Sequence, residues 1–179
     1  MNLSRWILMR VAPRLSLVLC ATTALLITAH DAHADTNIAG GSLSGNTTWS
    51  IGGSPYFILG DVTIPAGSTL TIDAGVEVKA AANSDAQASE LDAHRVELIV
   101  NGTLHVAGTA ANPVTFRSSA PTAGSWYGIV VGADATDIGL DYANITEAIN
   151  GVTSSAAIGV RLGAPGQRRR GPALYTGTP

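Results

Sequence analysis

The chain is poor in most of what functional chemistry draws on. Of its 179 residues one is a cysteine, Cys20, and one is a lysine, Lys79; aromatics make up 5% and charged residues 13%. A single cysteine closes no disulfide within the chain, so packing and backbone hydrogen bonds must hold the fold. A nucleic-acid surface needs clustered Lys and Arg to meet phosphates, and the balance here is acidic, with a formal net charge of −3. No Gly-x-Ser-x-Gly elbow, phosphate-cradling glycine loop or zinc-type ligand spacing occurs. Long apolar runs are absent too, except for one near the N-terminus.

That run has the grammar of an export signal. Arg5, Arg10 and Arg14 lead, Leu15 to Ile27 is apolar, and Ala32-His33-Ala34 offers small residues where a signal peptidase reads. The run is too short and too lightly flanked for a comfortable membrane span. Paired arginines are missing, which favours the general secretion route. Leu19 before Cys20 argues against lipidation. Residues 1–34 are therefore expected to be a cleaved signal peptide, and the protein secreted or surface-displayed. The mature chain would have 145 residues, no cysteine, and seven basic against twelve acidic residues, a net charge of −5.

What is abundant is one repeated device. From Asp61 to Phe116, short apolar-polar-apolar strands alternate with glycine- or asparagine-marked corners. The apolar pairs are Val62/Ile64, Leu70/Ile72, Val76/Val78, Leu98/Val100, Leu104/Val106 and Val114/Phe116. Alternation buries one face of each strand. The connections are too short for crossover helices, so each strand must pair with the coil above or below. The reading is an all-β solenoid of about three coils over residues 61–163. The third coil is marked by Ile129/Val131, Leu140/Tyr142 and Ile145. Residues 35–60 read as an N-terminal cap, with Trp49, Tyr56 and Phe57 covering the open end. Residues 80–95 break the pattern as one lateral insertion, with a short helix expected over Ala88 to His94 behind a Ser84/Gln87 capping box. Residues 164–179, rich in Arg, Gly and Pro, are expected to be a disordered tail, and their abrupt change of character reads as a shifted frame or premature end. An open last coil would then favour self-association.

The series Gly60-Asp61-Val62-Thr63-Ile64-Pro65-Ala66-Gly67, continuing to Val78, resembles the opening coil of right-handed parallel β-helix proteins of the pectate lyase-like superfamily on bacterial surfaces. Val100-Asn101-Gly102-Thr103-Leu104, Asn112-Pro113-Val114-Thr115-Phe116 and Trp126-Tyr127-Gly128-Ile129-Val130 are similar to its later signatures. The resemblance covers roughly residues 41–152. It implies that Trp126 packs the coil and that Asn101-Gly102 makes a tight corner. It implies no single activity, since the scaffold carries pectin-degrading enzymes and adhesins alike.

Candidate chemistry is thin, and each candidate has a plainer structural explanation. Asp134, Asp137, Asp141 and Glu147 form the acidic group that a pectate lyase-like Ca²⁺ site would need, but no lysine lies near and solvated loop carboxylates suffice. Asp73, Glu77 and Glu97 are outward by alternation, and Glu77 stacked on Glu97 would give the carboxylate pair of a glycosidase; solubilising charge explains them as well. His94 and His105 lack ligand partners, His105 facing outward. Thr69, Thr71, Thr103, Thr109 and Thr115 do not recur as an ice-binding rank, and strand propensity accounts for them. Asn46, Asn101 and Asn144 head formal glycosylation sequons, which matter only in a eukaryotic pathway. The expectation is a structural or adhesive module, with no catalytic, cofactor or metal-site residues and with glycans or surface proteins as partners. The alternative is the N-terminal piece of a polysaccharide lyase or glycoside hydrolase.

Overall fold

A computed structural model gives the architecture, and it describes residues 35–87, 91–156 and 160–163. The expectations for the signal segment and for the tail from 164 onward lie outside those residues. The strands, in chain order, are β1 (Thr36–Ile38), β2 (Gly41–Ser42), β3 (Thr47–Trp49), β4 (Tyr56–Ile58) and β5 (Val62–Ile64); then β6 (Thr69–Asp73), β7 (Glu77–Ala80), β8 (Glu97–Val100), β9 (Thr103–Ala107) and β10 (Val114–Ser118); then β11 (Gly128–Val131), β12 (Asp137–Asp141), β13 (Ala143–Ile145), β14 (Val152–Ser154) and β15 (Val160–Leu162). Every third strand joins the same sheet. Sheet A runs β1-β4-β7-β10-β13, sheet B β2-β5-β8-β11-β14 and sheet C β3-β6-β9-β12-β15, all parallel. This is a right-handed parallel β-helix.

Its core is built of ladders, one side chain per coil. Val62, Leu98, Ile129 and Val152 stack in sheet B. Leu70, Leu104, Ile138 and Val160 stack in sheet C, beside Trp49, Ile72, Val106 and Leu140. Tyr56, Val78, Phe116 and Ile145 stack in sheet A. All eight residues that strict alternation turns inward, Leu70, Ile72, Leu98, Val100, Leu104, Val106, Val114 and Phe116, are at most 2% exposed. Each buried Leu or Ile contributes about 1.5–3 kcal/mol. Trp126 is buried as well, and its indole N–H donates to the Thr146 carbonyl at 2.8 Å.

The three expected coils are present as β5-β6-β7, β8-β9-β10 and β11-β12-β13. The lead-in residues supply strands to all three sheets. Trp49 and Tyr56 stack with ring centroids 4.9 Å apart inside the core, while Phe57 faces outward beneath Lys79. One strand of the third coil is shifted by two residues from the reading: its inward pair is Ile138/Leu140, in register with Leu104 and Val106. Tyr142 instead turns the corner with φ +45°. Gly139 caused the slip, because a buried glycine between Ile138 and Leu140 hides the alternation.

The tight corner at Asn101-Gly102 needs glycine for a reason of space. A Cβ at Gly102 would stand 2.3 Å from the Ser68 carbonyl oxygen and 2.4 Å from that of Pro65. Those carbonyls belong to the coil below, so the corner stacks only where no side chain intervenes.

The insertion contains turns and no helix among its described residues; residues 88–90 lie outside them. Two aspartates account for this. Asp85 Oδ1 accepts from the Gln87 N–H at 3.0 Å, and Asp92 Oδ1 from the His94 N–H at 2.9 Å. Such local side-chain turns compete with helix formation. The segment lies against the coils: the Ala86 N–H donates to the Leu59 carbonyl, the Asn83 N–H to the Ser125 carbonyl, and Arg95 Nε to the Gly124 carbonyl.

Candidate functional site

Three outward features merit chemical attention. The first is a groove on sheet B with a volume of about 470 Å³. Outward side chains of three successive coils form its floor, Ile99, Val130 and Thr153, which are in register. Tyr127 and Leu91 border it, Leu91 from the insertion and 63% exposed. Asn101, Ser154 and Ser155 add polar groups. Among the described residues no carboxylate, Lys, Arg or His lines it. Such a surface offers apolar contact and hydroxyl or amide hydrogen bonds.

The second is a charged row on sheet C. His105, outward as expected, has Nε2 3.7 Å from Asp137 Oδ2, and Arg161 Nη2 approaches the same oxygen at 3.4 Å. All three side chains are more than a third exposed, so these contacts are weak in water.

The third is the corner where the insertion rejoins sheet B. Here the sequence reading fails. Glu97, expected outward, is fully buried. Its own N–H donates to Asp61 Oδ1 at 2.7 Å. Burial first, and the nearby Asp61 charge second, raise its pKa from 4.5 to about 7; the backbone amides of Leu91 and Asp92 pull the other way, and Asp85 adds to the rise. Alternation misplaced Glu97 because the insertion folds over this end of β8 and covers what would be solvent face. Glu77, in contrast, is outward on sheet A, between Arg117 Nε and Lys79 Nζ. Glu77 and Glu97 belong to different sheets, so they do not stack as a carboxylate pair.

The remaining candidates are scattered. Asp134 is exposed in the turn before β12, and Asp137 and Asp141 stand at the two ends of that strand. Asp73 shares a row with Ala107 and Asp141. Glu147 sits beyond β13, where its Oε2 accepts from the Ser118 N–H at 2.9 Å. His94 is exposed on the insertion. Thr69 and Thr103 are in register, but the row continues into Asp137, and Thr71 is followed by His105. Among the described residues no group of His, Cys, Asp or Glu converges enough to hold a metal ion.

The groove was missed, although a signal for it exists. Leu98-Ile99-Val100 and Ile129-Val130-Val131 are unbroken apolar runs. In a one-sided strand the middle residue should be polar, so two apolar middles on successive coils mark an outward apolar stripe.

Residues 41–156, more than half of the chain, match the family described as the pectate-lyase like beta helix domain, and the chain belongs to that family. No curated protein and no solved structure matches it significantly.

Proposed function

Starting from membership of the pectate-lyase-like β-helix family, we propose that this protein is an exported, surface-displayed module with an adhesive role, and that the sheet-B groove is where it holds a glycan. The observation that carries this reading is the groove's lining. Apolar floor, tyrosine border, hydroxyls and an amide suit the faces and edges of a sugar chain, and among the described residues no side chain there supplies a carboxylate acid, a carboxylate nucleophile or a strong base. The groove crosses three coils, so a linear oligosaccharide lying along the stack would meet the same kind of contact at each step. Export rests on the N-terminal basic lead, apolar run and Ala-x-Ala site.

The test is a panel of cello-, chito- and galacturono-hexaose presented to the purified mature chain, with chemical shifts or saturation transfer as readout. Perturbations centred on Ile99, Tyr127 and Val130, lost in Tyr127→Ala, are the expected result. Binding elsewhere, or none to any glycan on a broad array, rejects the adhesive reading. Incubation with polygalacturonate, with and without Ca²⁺, should release no unsaturated oligosaccharide; release that disappears in Asp141→Ala would replace adhesion by catalysis. N-terminal sequencing of chain recovered outside the cytoplasm should begin at Asp35.

A further inference from the structure

We propose that the sheet-B groove is a ruler for a neutral, β-1,4-linked glycan, with one sugar ring seated on each of three coils. The proposal rests on the groove being the glycan site, and it adds which linkage, charge and length that site selects.

The spacing comes from the backbone. Ile99, Val130 and Thr153 are register partners on β8, β11 and β14, so they form a straight row that crosses the strands and follows the stack. Neighbouring strands of a sheet lie about 4.8 Å apart. Rings joined by equatorial β-1,4 bonds advance by nearly the same step in an extended ribbon. A ring seated on one coil therefore brings the next ring onto the next coil, and the mismatch stays small over three steps. An α-1,4 bond leaves one ring axially, so its chain curls away from a straight row after the first contact.

Floor and walls fit the same ribbon. A β-1,4 chain presents C–H groups on its faces and hydroxyls along its edges. Ile99 and Val130 are apolar, and Thr153 keeps its hydroxyl oxygen buried, so the row meets a ring face with hydrocarbon. Tyr127, just before β11, adds an aromatic ring with a polar tip on one side. On the other side Asn101, Gly132 and Ser155 follow directly on β8, β11 and β14. They continue the register: the Gly132 N–H donates to the Val100 carbonyl at 2.8 Å and the Ser155 N–H to the Val131 carbonyl at 2.9 Å. The Asn101 amide lies over Gly132, where a Cβ would collide with its Oδ1. The Ser155 hydroxyl donates to the Val131 carbonyl at 3.2 Å, so its oxygen is an acceptor for a sugar hydroxyl. Ser154 Oγ accepts from the Ala156 N–H at 3.3 Å and keeps its own proton to donate. Charge then separates neutral chains from uronates. Among the described residues no Lys, Arg or His lines the groove, so a carboxylate on each ring would lose water beside hydrocarbon with no cation in return.

Titration of the purified protein with cellobiose, cellotriose, cellotetraose and cellohexaose, followed by amide shifts, tests the ruler. Affinity should rise about tenfold from two rings to three, and less than about twofold from four to six, because rings beyond the third find no further coil of the groove. Maltohexaose and galacturonohexaose should bind at least about tenfold more weakly than cellohexaose. Val130→Lys, an outward change on the middle coil, should weaken cellohexaose and strengthen galacturonohexaose. A steady rise through six rings, equal binding of either competing hexaose, or an unchanged preference in Val130→Lys would overturn the ruler. Groove binding without these dependences rejects the ruler alone and leaves the adhesive reading standing; no binding of any glycan rejects the adhesive reading and the ruler with it.

Discussion

Two glutamates of the same sheet-facing pattern meet opposite fates. Glu77 begins β7 and Glu97 begins β8, and each precedes an inward apolar residue, Val78 or Leu98. Glu77 stands outside, flanked by Arg117 and Lys79. Glu97 is fully buried, with the charge of Asp61 nearby. The difference lies in what lies over the strand. In the regular coils local alternation decides burial, and a position's parity names its environment. At a corner carrying an insertion, covering by a distant segment decides it, and parity is overruled.

The sharpest way to break this contrast is in the regular coils themselves. Leu104→Asp places a charge in a ladder between Leu70 and Ile138, losing the leucine's burial and stranding a carboxylate; a loss on the order of 5 kcal/mol is expected, comparable with the whole stability of a small domain. Thr103→Asp, one residue away and outward, should leave the melting temperature nearly unchanged. Circular dichroism melts of the two variants decide whether parity rules here. Next comes Gly102→Ala, which forces a Cβ against two carbonyl oxygens of the coil below and should cost about 3 kcal/mol.

Glu97→Gln probes the other side of the contrast. Because the folded-state pKa is raised, the wild-type protein holds its proton more tightly folded than unfolded. Its stability is greatest below pH 4.5 on this account, declines as pH rises, and has lost the contribution once pH passes about 7. The glutamine variant should lack that decline and be more stable than wild type at pH 8, by about 2 kcal/mol. Urea melts at pH 5 and pH 8 measure it; a wild type equally stable at both would place Glu97 in water after all.

These outcomes bear on how much could be read from the chain beforehand. The solenoid was legible because its strands are short, one-sided and separated by Gly or Asn corners, so each carries its own signal. The coil pairing followed too, Leu98 on Val62 and Leu104 on Leu70. The slip at Leu140/Tyr142 came where Gly139 removed the polar marker. The groove and the Glu97 corner were not legible in the same way. Both depend on which segments the fold brings together, Leu91, Ile99 and Tyr127 around the groove in one case, Asp61 and Asp85 near Glu97 in the other. Sequence patterns report the period of a strand, and a segment folded across it leaves no mark in that period.

The smallest effect should come from Arg117→Ala, and its pH dependence should mirror that of Glu97. Burial alone would raise the Glu77 carboxyl, but hydrogen bonds from Arg117 and Lys79, with their charges, outweigh it and hold the group below its ordinary value of 4.5. A depressed folded-state value means stability that is present above pH 4.5 and lost as pH falls through the folded-state value. Removing Arg117 should cost under about 1 kcal/mol at pH 7, since the pair is partly exposed and Lys79 stays 3.1 Å from Glu77. The cost should shrink with added salt and vanish in acid, where Glu77 is protonated in both proteins. Combined with Glu97→Gln the two changes should add, because they act on different sheets through different partners. A loss that persists at pH 2.5 would mean that Arg117 acts through packing of its aliphatic stem on sheet A, and the outer glutamate would then contribute far less than its ion pairs imply.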